Sequence, residues 1–313
     1  RDASTYYLLG YNSREMPADG EFHRIEVRVP GRDVEVRARP GFWALSPEDV
    51  NRLEDSGSSP EPPSEVDTAL ALLTARRNQR FVQTWIGMTR GDDGLTQVRF
   101  VWRPAPRVPG QRRDEPVQVG LSASGDGGTV FFQGEVPSSP SVLTDGGMAE
   151  PEQLVFEAEP GPLRLDISVL GVSEQVIDDN VMTLVVPDFT ATDLSLGSVM
   201  VFRAQNAFEM RQLRADPDPI PEAGREFRRT DRLLVRVEAY SRGSSEPNVA
   251  AKLLNRGGQS MADLPVQPSP AAASTYVLDL PLSSLAPGEY LIELTATVGD
   301  ATDKQLLAMR VTG

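Results

Sequence analysis

Strand-length stretches of alternating apolar and polar residues, separated by turn residues, fill the chain from residue 81 to its end. Seven of them lie between residues 81 and 186, with Gly- and Asp-rich turns at 91–94 and 125–128. Each stretch is far shorter than the roughly 18 apolar residues that a membrane-spanning helix needs. Seven short strands at this spacing are typical of an immunoglobulin-like sandwich, and we predict one over residues 81–190.

A second set of six such stretches follows between residues 199 and 311. Before the fifth of them, Pro287 and Gly288 form a turn, and Tyr290 stands just inside the strand. From there its hydroxyl can reach back to the backbone near Leu285, which is the tyrosine corner of Greek-key sandwiches. We therefore predict a second immunoglobulin-like sandwich over residues 191–313 and an all-β fold of two tandem sandwiches.

Residues 1–44 carry further short strands with period-two alternation. The predicted strands span 6–11, 22–29 and 34–38. A turn after Val29 would place that residue opposite Val34, so that apolar side chains meet. Three strands of this length cannot bury both faces of a sheet, so we interpret the piece as the remnant of a larger domain that contacts another surface. The candidate interaction surface consists of Tyr6, Leu8, Phe42 and Trp43.

The predicted helical part of the chain lies between these strands and the first sandwich, in residues 45–80. After a Ser- and Pro-rich stretch at 56–63, Val66, Leu70 and Leu73 follow one another at helical spacing. We predict that residues 45–80 are a short linker with one amphipathic helix.

The first 44 residues carry a resemblance to a known family. They read Tyr-Tyr-Leu-Leu-Gly-Tyr at 6–11, Phe-His-Arg-Ile-Glu-Val-Arg-Val at 22–29 and Val-Arg-Ala-Arg-Pro-Gly-Phe-Trp-Ala at 36–44. This stretch resembles the end of the von Willebrand factor type A-related domain of acidobacterial secreted proteins. The resemblance implies that the metal-binding start of such a domain lies upstream and carries no metal site into this chain. Because the sequence opens without an initiator Met or a signal peptide, we expect a processed or truncated part of a longer precursor.

Charge and cysteine content exclude several classes of function. Thirty-one basic and forty-five acidic residues give a net charge of −14, which repels nucleic-acid phosphates and anionic lipids. The sequence contains no cysteine, which rules out disulfides, thiolate nucleophiles and zinc–thiolate sites. We expect no nucleic-acid binding, no membrane insertion and no cofactor.

The residue types that carry catalysis or bind metals do not form a complete set in this sequence. His23 is the only histidine, so a Ser-His-Asp or Cys-His centre would depend on a residue that lies on a predicted strand. Asp193, Ser195 and Ser198 come nearest to the metal motif of a type A domain, but the second serine is displaced by one residue. We predict a plain turn there, and no catalytic, cofactor-binding or metal-ligating residue.

Two further groups of residues have both a structural and a functional interpretation. The acidic clusters at 92–93, 178–180 and 216–218 lack the spaced ligands of a calcium loop, so we interpret them as turns. Trp85 and Trp102 lie in neighbouring predicted strands. We interpret them as core residues of the sandwich rather than as a platform for stacking carbohydrate.

Three hypotheses of function remain. The one that we favour is a non-enzymatic, extracytoplasmic interaction or scaffold protein, because strand edges and loop ends are where β-sandwich modules bind. The first alternative is a permanent structural subunit of a larger complex or filament, and the second is an accessory module of a secreted hydrolase. We expect contact with a protein partner, or self-association, through the N-terminal strands and the sandwich edges.

Overall fold

The protein has an all-β fold in its computed structural model. The structure describes residues 22–24, 41–43, 63–77, 81–106, 113–137, 153–243 and 246–313. Strands make up about 58% of these residues and helices about 10%. Residues 1–61 and 62–313 form two compact units.

The first unit contains two described strands, β1 (Phe22–Arg24) and β2 (Gly41–Trp43), which pair antiparallel. His23 lies opposite Phe42 in this pair. β2 follows the predicted strand at 34–38 and was not itself predicted. The other predicted strands of this piece, including the pairing of Val29 with Val34, lie outside the described residues.

The first sandwich has seven strands among its described residues: β3 (Val82–Arg90), β4 (Thr96–Pro104), β5 (Pro116–Ser124), β6 (Val130–Pro137), β7 (Leu154–Ala158), β8 (Gly161–Gly171) and β9 (Val176–Val186). One antiparallel sheet has the order β3-β4-β7 and the other β6-β5-β8-β9. Alternation places Val98, Phe100 and Trp102 of β4 on the face between the sheets, where all three are buried. The seven strands predicted from the turn spacing are all present.

In the part of the second sandwich that the structure describes there are ten strands: β10 (Leu194–Leu196), β11 (Met200–Ala204), β12 (Glu226–Arg228), β13 (Arg232–Ser241), β14 (Asn248–Asn255), β15 (Ser260–Leu264), β16 (Val266–Pro268), β17 (Thr275–Pro281), β18 (Gly288–Val298) and β19 (Ala301–Thr312). One sheet has the order β10-β13-β17-β16, with β11 also paired to β13, and the other has the order β12-β19-β18-β14-β15. Leu233, Leu278 and Ile292 lie in the core between them. The six predicted strands are present, whereas β10, β12 and β16 have only three residues each, too few for alternation to reveal, and β15 (Ser-Met-Ala-Asp-Leu) does not alternate regularly.

Two helices accompany the second sandwich. Helix α1 (Ser64–Arg77) lays Val66, Ala69 and Leu73 on the outer face of the five-stranded sheet that contains β19. This segment was predicted as part of a linker, but the structure places it in the compact unit of the sandwiches. Helix α2 (Ala207–Ala215), which follows β11, was not predicted.

Candidate interaction surfaces

The residues singled out in the sequence lie in different parts of the structure. Phe42 and Trp43 are in β2, whereas Tyr6 and Leu8 lie outside the described residues. Tyr290 is buried at the start of β18, and its hydroxyl donates a 2.9 Å hydrogen bond to the carbonyl of Ala286, the residue after Leu285. This bond closes the corner between the two sheets of the second sandwich and is structural.

The acidic clusters serve three different structural purposes. Asp93 occupies the left-handed turn between β3 and β4, at φ 51°. Asp178 and Asp179 lie within strand β9, so the interpretation of this cluster as a turn was wrong. Asp216 ends helix α2, and the carboxylate of Asp218 pairs with the guanidinium of Arg99 at 2.5 Å. In the described part of the chain, no three His, Asp or Glu side chains converge as metal ligands would.

The three residues that came nearest to a metal motif, Asp193, Ser195 and Ser198, do not form a site. The hydroxyl of Ser198 accepts a 2.9 Å hydrogen bond from the main-chain N–H of Met88 in the first sandwich. Ser195 lies in β10, and its Oγ is buried with no hydrogen-bond partner among the described residues. Asp193 is exposed, and its carboxylate lies 3.9 Å from the guanidinium of Arg242. The three side chains therefore have separate surroundings.

An apolar interface joins the two sandwiches. Trp85 lies on the outer face of the first sandwich, opposite Val101 in register, and is only 5% exposed. It packs against Met200, Phe202 and Leu234 of the second sandwich. The prediction that Trp85 is a core residue of the first sandwich was therefore wrong. Trp85 lies at the centre of the contact between the two sandwiches.

Trp102 lies on the opposite face and fills the core of the first sandwich. Its indole N–H donates a 3.0 Å hydrogen bond to the carbonyl of Val136, so the polar end of the buried ring has a partner. The two tryptophans thus occupy opposite faces of one sheet.

Helix α2 covers the same interface and is anchored by a buried arginine. The side chain of Asn206 caps the helix by accepting from the N–H groups of Phe208 and Glu209. At the other end, Arg236 donates to the carbonyls of Leu213, Asp216 and Pro217 at distances of 2.9–3.2 Å. These carbonyls lie at and just beyond the helix C-terminus, where carbonyls lack helical partners.

The environment of Arg236 is apolar as well as hydrogen-bonded. Its guanidinium lies 5.3 Å from the centre of the Phe202 ring, within the range of a cation–π contact. Burial lowers the pKa of Arg236, and the nearby carboxylate of Asp216 opposes this shift. The side chain is 3% exposed and serves to hold α2 on the sheet.

Polar contacts surround the apolar interface. The N–H of Ser198 donates to the carbonyl of Met88 at 2.8 Å, and the N–H of Arg90 donates to the hydroxyl of Tyr240 at 2.9 Å. Burial of the Tyr240 hydroxyl raises its pKa, and the negative charge of the nearby Glu238 carboxylate raises it further. These bonds fix the two sandwiches at one orientation, because each donor and acceptor has its partner on the other sandwich.

A groove opens where α1, β3 and β19 meet. This junction groove has a volume of about 500 Å³, which is in the range of ligand-binding sites. Glu65 and Leu72 line it from α1, Ile86 from β3, and residues 304–308 from β19. The amino group of Lys304 lies 3.4 Å from the carboxylate of Glu65, so an ion pair crosses one side of the groove. The sequence offered no signal for this site, because its walls come from three distant segments.

Comparisons with known proteins add little to this description. No protein-family model and no curated protein matches the sequence. Among solved structures, a chimeric titin Z1Z2 carrying a decorin peptide is 14% identical over 75% of this chain and 100% of its own, with a TM-score of 0.23. Fibronectin(III)-like modules of Clostridium thermocellum CbhA are 12% identical over 73% of this chain and 93% of theirs, with a TM-score of 0.19. With TM-scores this low, the fold assignment rests on the strand pairing itself.

Proposed function

We propose that this β-sandwich protein is a non-enzymatic interaction or scaffold protein that acts outside the cytoplasm. The observation that carries the proposal is the Trp85 interface, which packs the two sandwiches together in one compact unit. Two modules on a free hinge would present their surfaces at varying distances and would lose conformational entropy on binding a common partner. Two sandwiches in a fixed arrangement present both binding surfaces at a constant distance, so less conformational entropy is lost on binding.

The titratable groups favour a structural role over catalysis. A catalytic acid or base is usually a group in a cleft whose pKa has been moved toward neutrality. Here the pKa of Arg103 is lowered by burial, and its guanidinium is hydrogen-bonded to Gln83 and paired with Glu222. Tyr240 and Arg236 are likewise engaged in the interface. These shifts result from the packing of one sandwich on the other.

The location outside the cytoplasm rests on the sequence. The resemblance of residues 1–44 to the end of a von Willebrand factor type A-related domain of secreted proteins supports it, and we propose the same origin for that segment. In the described part of the chain, no helix is long and apolar enough to span a membrane.

Cross-linking in the cells that produce the protein tests this function. We expect mass spectrometry to find links from both sandwiches to one other polypeptide, at a constant ratio, in the extracytoplasmic fraction. Cells that lack the protein provide the background. Links confined to this chain alone, at its natural abundance, would contradict an interaction role, and recovery in the cytoplasm would contradict the proposed location.

A further inference from the structure

The main-chain groups of strand β3 identify one side of the junction groove as an open strand edge. In an antiparallel pair, successive residues direct their N–H and C=O groups alternately toward the partner strand and away from it. Both main-chain groups of Met88 bond to Ser198, and the N–H of Arg90 bonds to Tyr240. The main-chain N–H and C=O groups of the even-numbered residues of β3 therefore point away from β4. Ile86 has the same parity in an unbroken register. Its N–H and C=O therefore point away from β4, and no described residue bonds to them.

Strand β19 supplies a second open edge. The N–H of Arg310 donates to the carbonyl of Arg225 at 2.8 Å, and the carbonyl of Thr312 accepts from the N–H of Arg229 at 3.1 Å. The main-chain N–H and C=O groups of the even-numbered residues of β19 therefore point away from β18. The register with β18 is continuous from residue 301 to 311. Leu306 and Ala308 consequently direct their N–H and C=O groups away from β18, and none of the described residues bonds to these groups either.

The open stretch of β19 has defined ends. The short parallel strand β12 occupies the edge at residues 310–312, and the carboxylate of Asp303 accepts the N–H of Leu196 at 2.7 Å. Residues 304–308 between these points line the junction groove; the N–H of Lys304 donates to the carboxylate of Asp303 at 2.8 Å, so the open N–H groups are those of Leu306 and Ala308. Five strand residues span about 16 Å at roughly 3.3 Å each. The gap is therefore the length of one short strand.

The edges formed by β9 and β16 carry features that oppose pairing and that Ile86, Leu306 and Ala308 lack, while the charge of Lys304 at one end of the stretch is paired with Glu65 and Glu293. In β9, Asp178 and Asn180 lie opposite the buried residues Val169 and Ile167, so polar side chains point to the inner face at the edge. Strand β16 ends at Pro268, which has no N–H to offer. Charges that point inward and prolines are the means by which proteins protect edges from added strands. Ile86, Leu306 and Ala308 provide neither.

We infer that the junction groove binds an extended segment of another protein chain, which adds a strand to the open edge at residues 304–308. This inference rests on the proposed interaction function and names its site. Donors and acceptors that recur at every second residue match an extended polypeptide backbone. The charged pair Glu65–Lys304 is already satisfied, and Leu72, Ile86 and Leu306 are apolar. The segment is therefore uncharged, with an apolar residue at alternate positions.

Selection from a displayed library of random linear peptides on the full chain, followed by hydrogen exchange, tests the inference. We expect selected peptides to show apolar alternation, to compete with one another, and to slow amide exchange at Ile86, Leu306 and Ala308. Failure to select any peptide, or protection confined to other strands, would overturn it. Slow exchange at these amides in the dilute chain alone would show that the chain fills its own groove. Protection that appears only at high protein concentration would identify a second copy as the occupant, and both results contradict the inference.

A matched pair of variants isolates the main-chain contribution. Leu306→Ala and Leu306→Pro both lose the leucine side chain, but only the proline loses the N–H, and it breaks no bond to β18. We expect Leu306→Pro to bind the selected peptide about tenfold more weakly than Leu306→Ala, as the loss of a hydrogen bond implies. Equal affinities would refute strand addition, and should the proline variant not fold, the exchange data on the unmodified chain decide. If cross-linking finds a partner on other surfaces while these amides stay unprotected, the inference fails and the proposed function stands.

Discussion

Replacement of Trp85 by alanine tests whether the two sandwiches behave as one body. Trp85 is 5% exposed, and a buried tryptophan removes about 150–250 Å² from water. At about 25 cal/mol per Å² this burial corresponds to roughly 4–6 kcal/mol, close to the 3–5 kcal/mol that such truncations cost in protein cores. Because the side chain lies between the sandwiches, we expect the loss to fall on their coupling rather than on either core.

Calorimetry and solution scattering measure this effect. We expect the unmodified chain to unfold in one transition and Trp85→Ala to unfold in two, one for each sandwich. At room temperature the variant should keep its circular dichroism and the fluorescence of Trp102, while its radius of gyration increases. Phe208, an aromatic residue of α2 that is 61% exposed, provides the control, and Phe208→Ala should change none of these quantities.

A single transition for Trp85→Ala, with a loss below about 1 kcal/mol and an unchanged radius of gyration, would place the variant among ordinary surface substitutions. The Trp85 contact would then not be what orients the sandwiches, and the proposed function would lose its main support.

Four further outcomes are expected. Arg236→Met should lower the free energy of unfolding by about 2–3 kcal/mol in denaturant titrations, because three carbonyls lose a charged donor, and a neutral result would contradict the anchoring of α2. Tyr290→Phe should cost about 1 kcal/mol through the loss of one hydrogen bond, and no loss would mean that water replaces it. Millimolar calcium should leave the melting temperature unchanged, since the acidic side chains are used in turns, strands and ion pairs, whereas a shift of several degrees would reveal a missed site. In sedimentation, the full chain should self-associate or bind a partner through residues 1–44, while a chain starting at Pro63, which keeps α1 on its sheet, should be monomeric. Equal monomeric behaviour of both would show that the N-terminal piece is covered internally.

Local patterns in the sequence predict the strands of both sandwiches well. In β4, Val98 and Phe100 alternate with the polar residues Gln97 and Arg99, and such a period requires only that one face be buried. The turn before Tyr290 is similarly local, because the ring and its acceptor Ala286 are four residues apart. Helix α2 has only nine residues, about two and a half turns, and β10, β12 and β16 have only three residues each, so these segments carry little periodic signal.

Local sequence patterns are therefore enough to predict an all-β chain of tandem sandwiches, and the sequence also shows the absence of cysteine and the strong negative charge. The assembled fold was needed to show which apolar face of a sheet packs inside its own sandwich and which packs against the other sandwich. Val101 and Trp102 are adjacent apolar residues on opposite faces of β4, and nothing local distinguishes the face that packs inside the first sandwich from the face that meets the second. The junction groove depends on α1, β3 and β19, which lie far apart in the chain. The edge of β19 is open at Leu306 and Ala308 because β12 pairs only with residues 310–312, and this is visible only when the strands are assembled into a sheet.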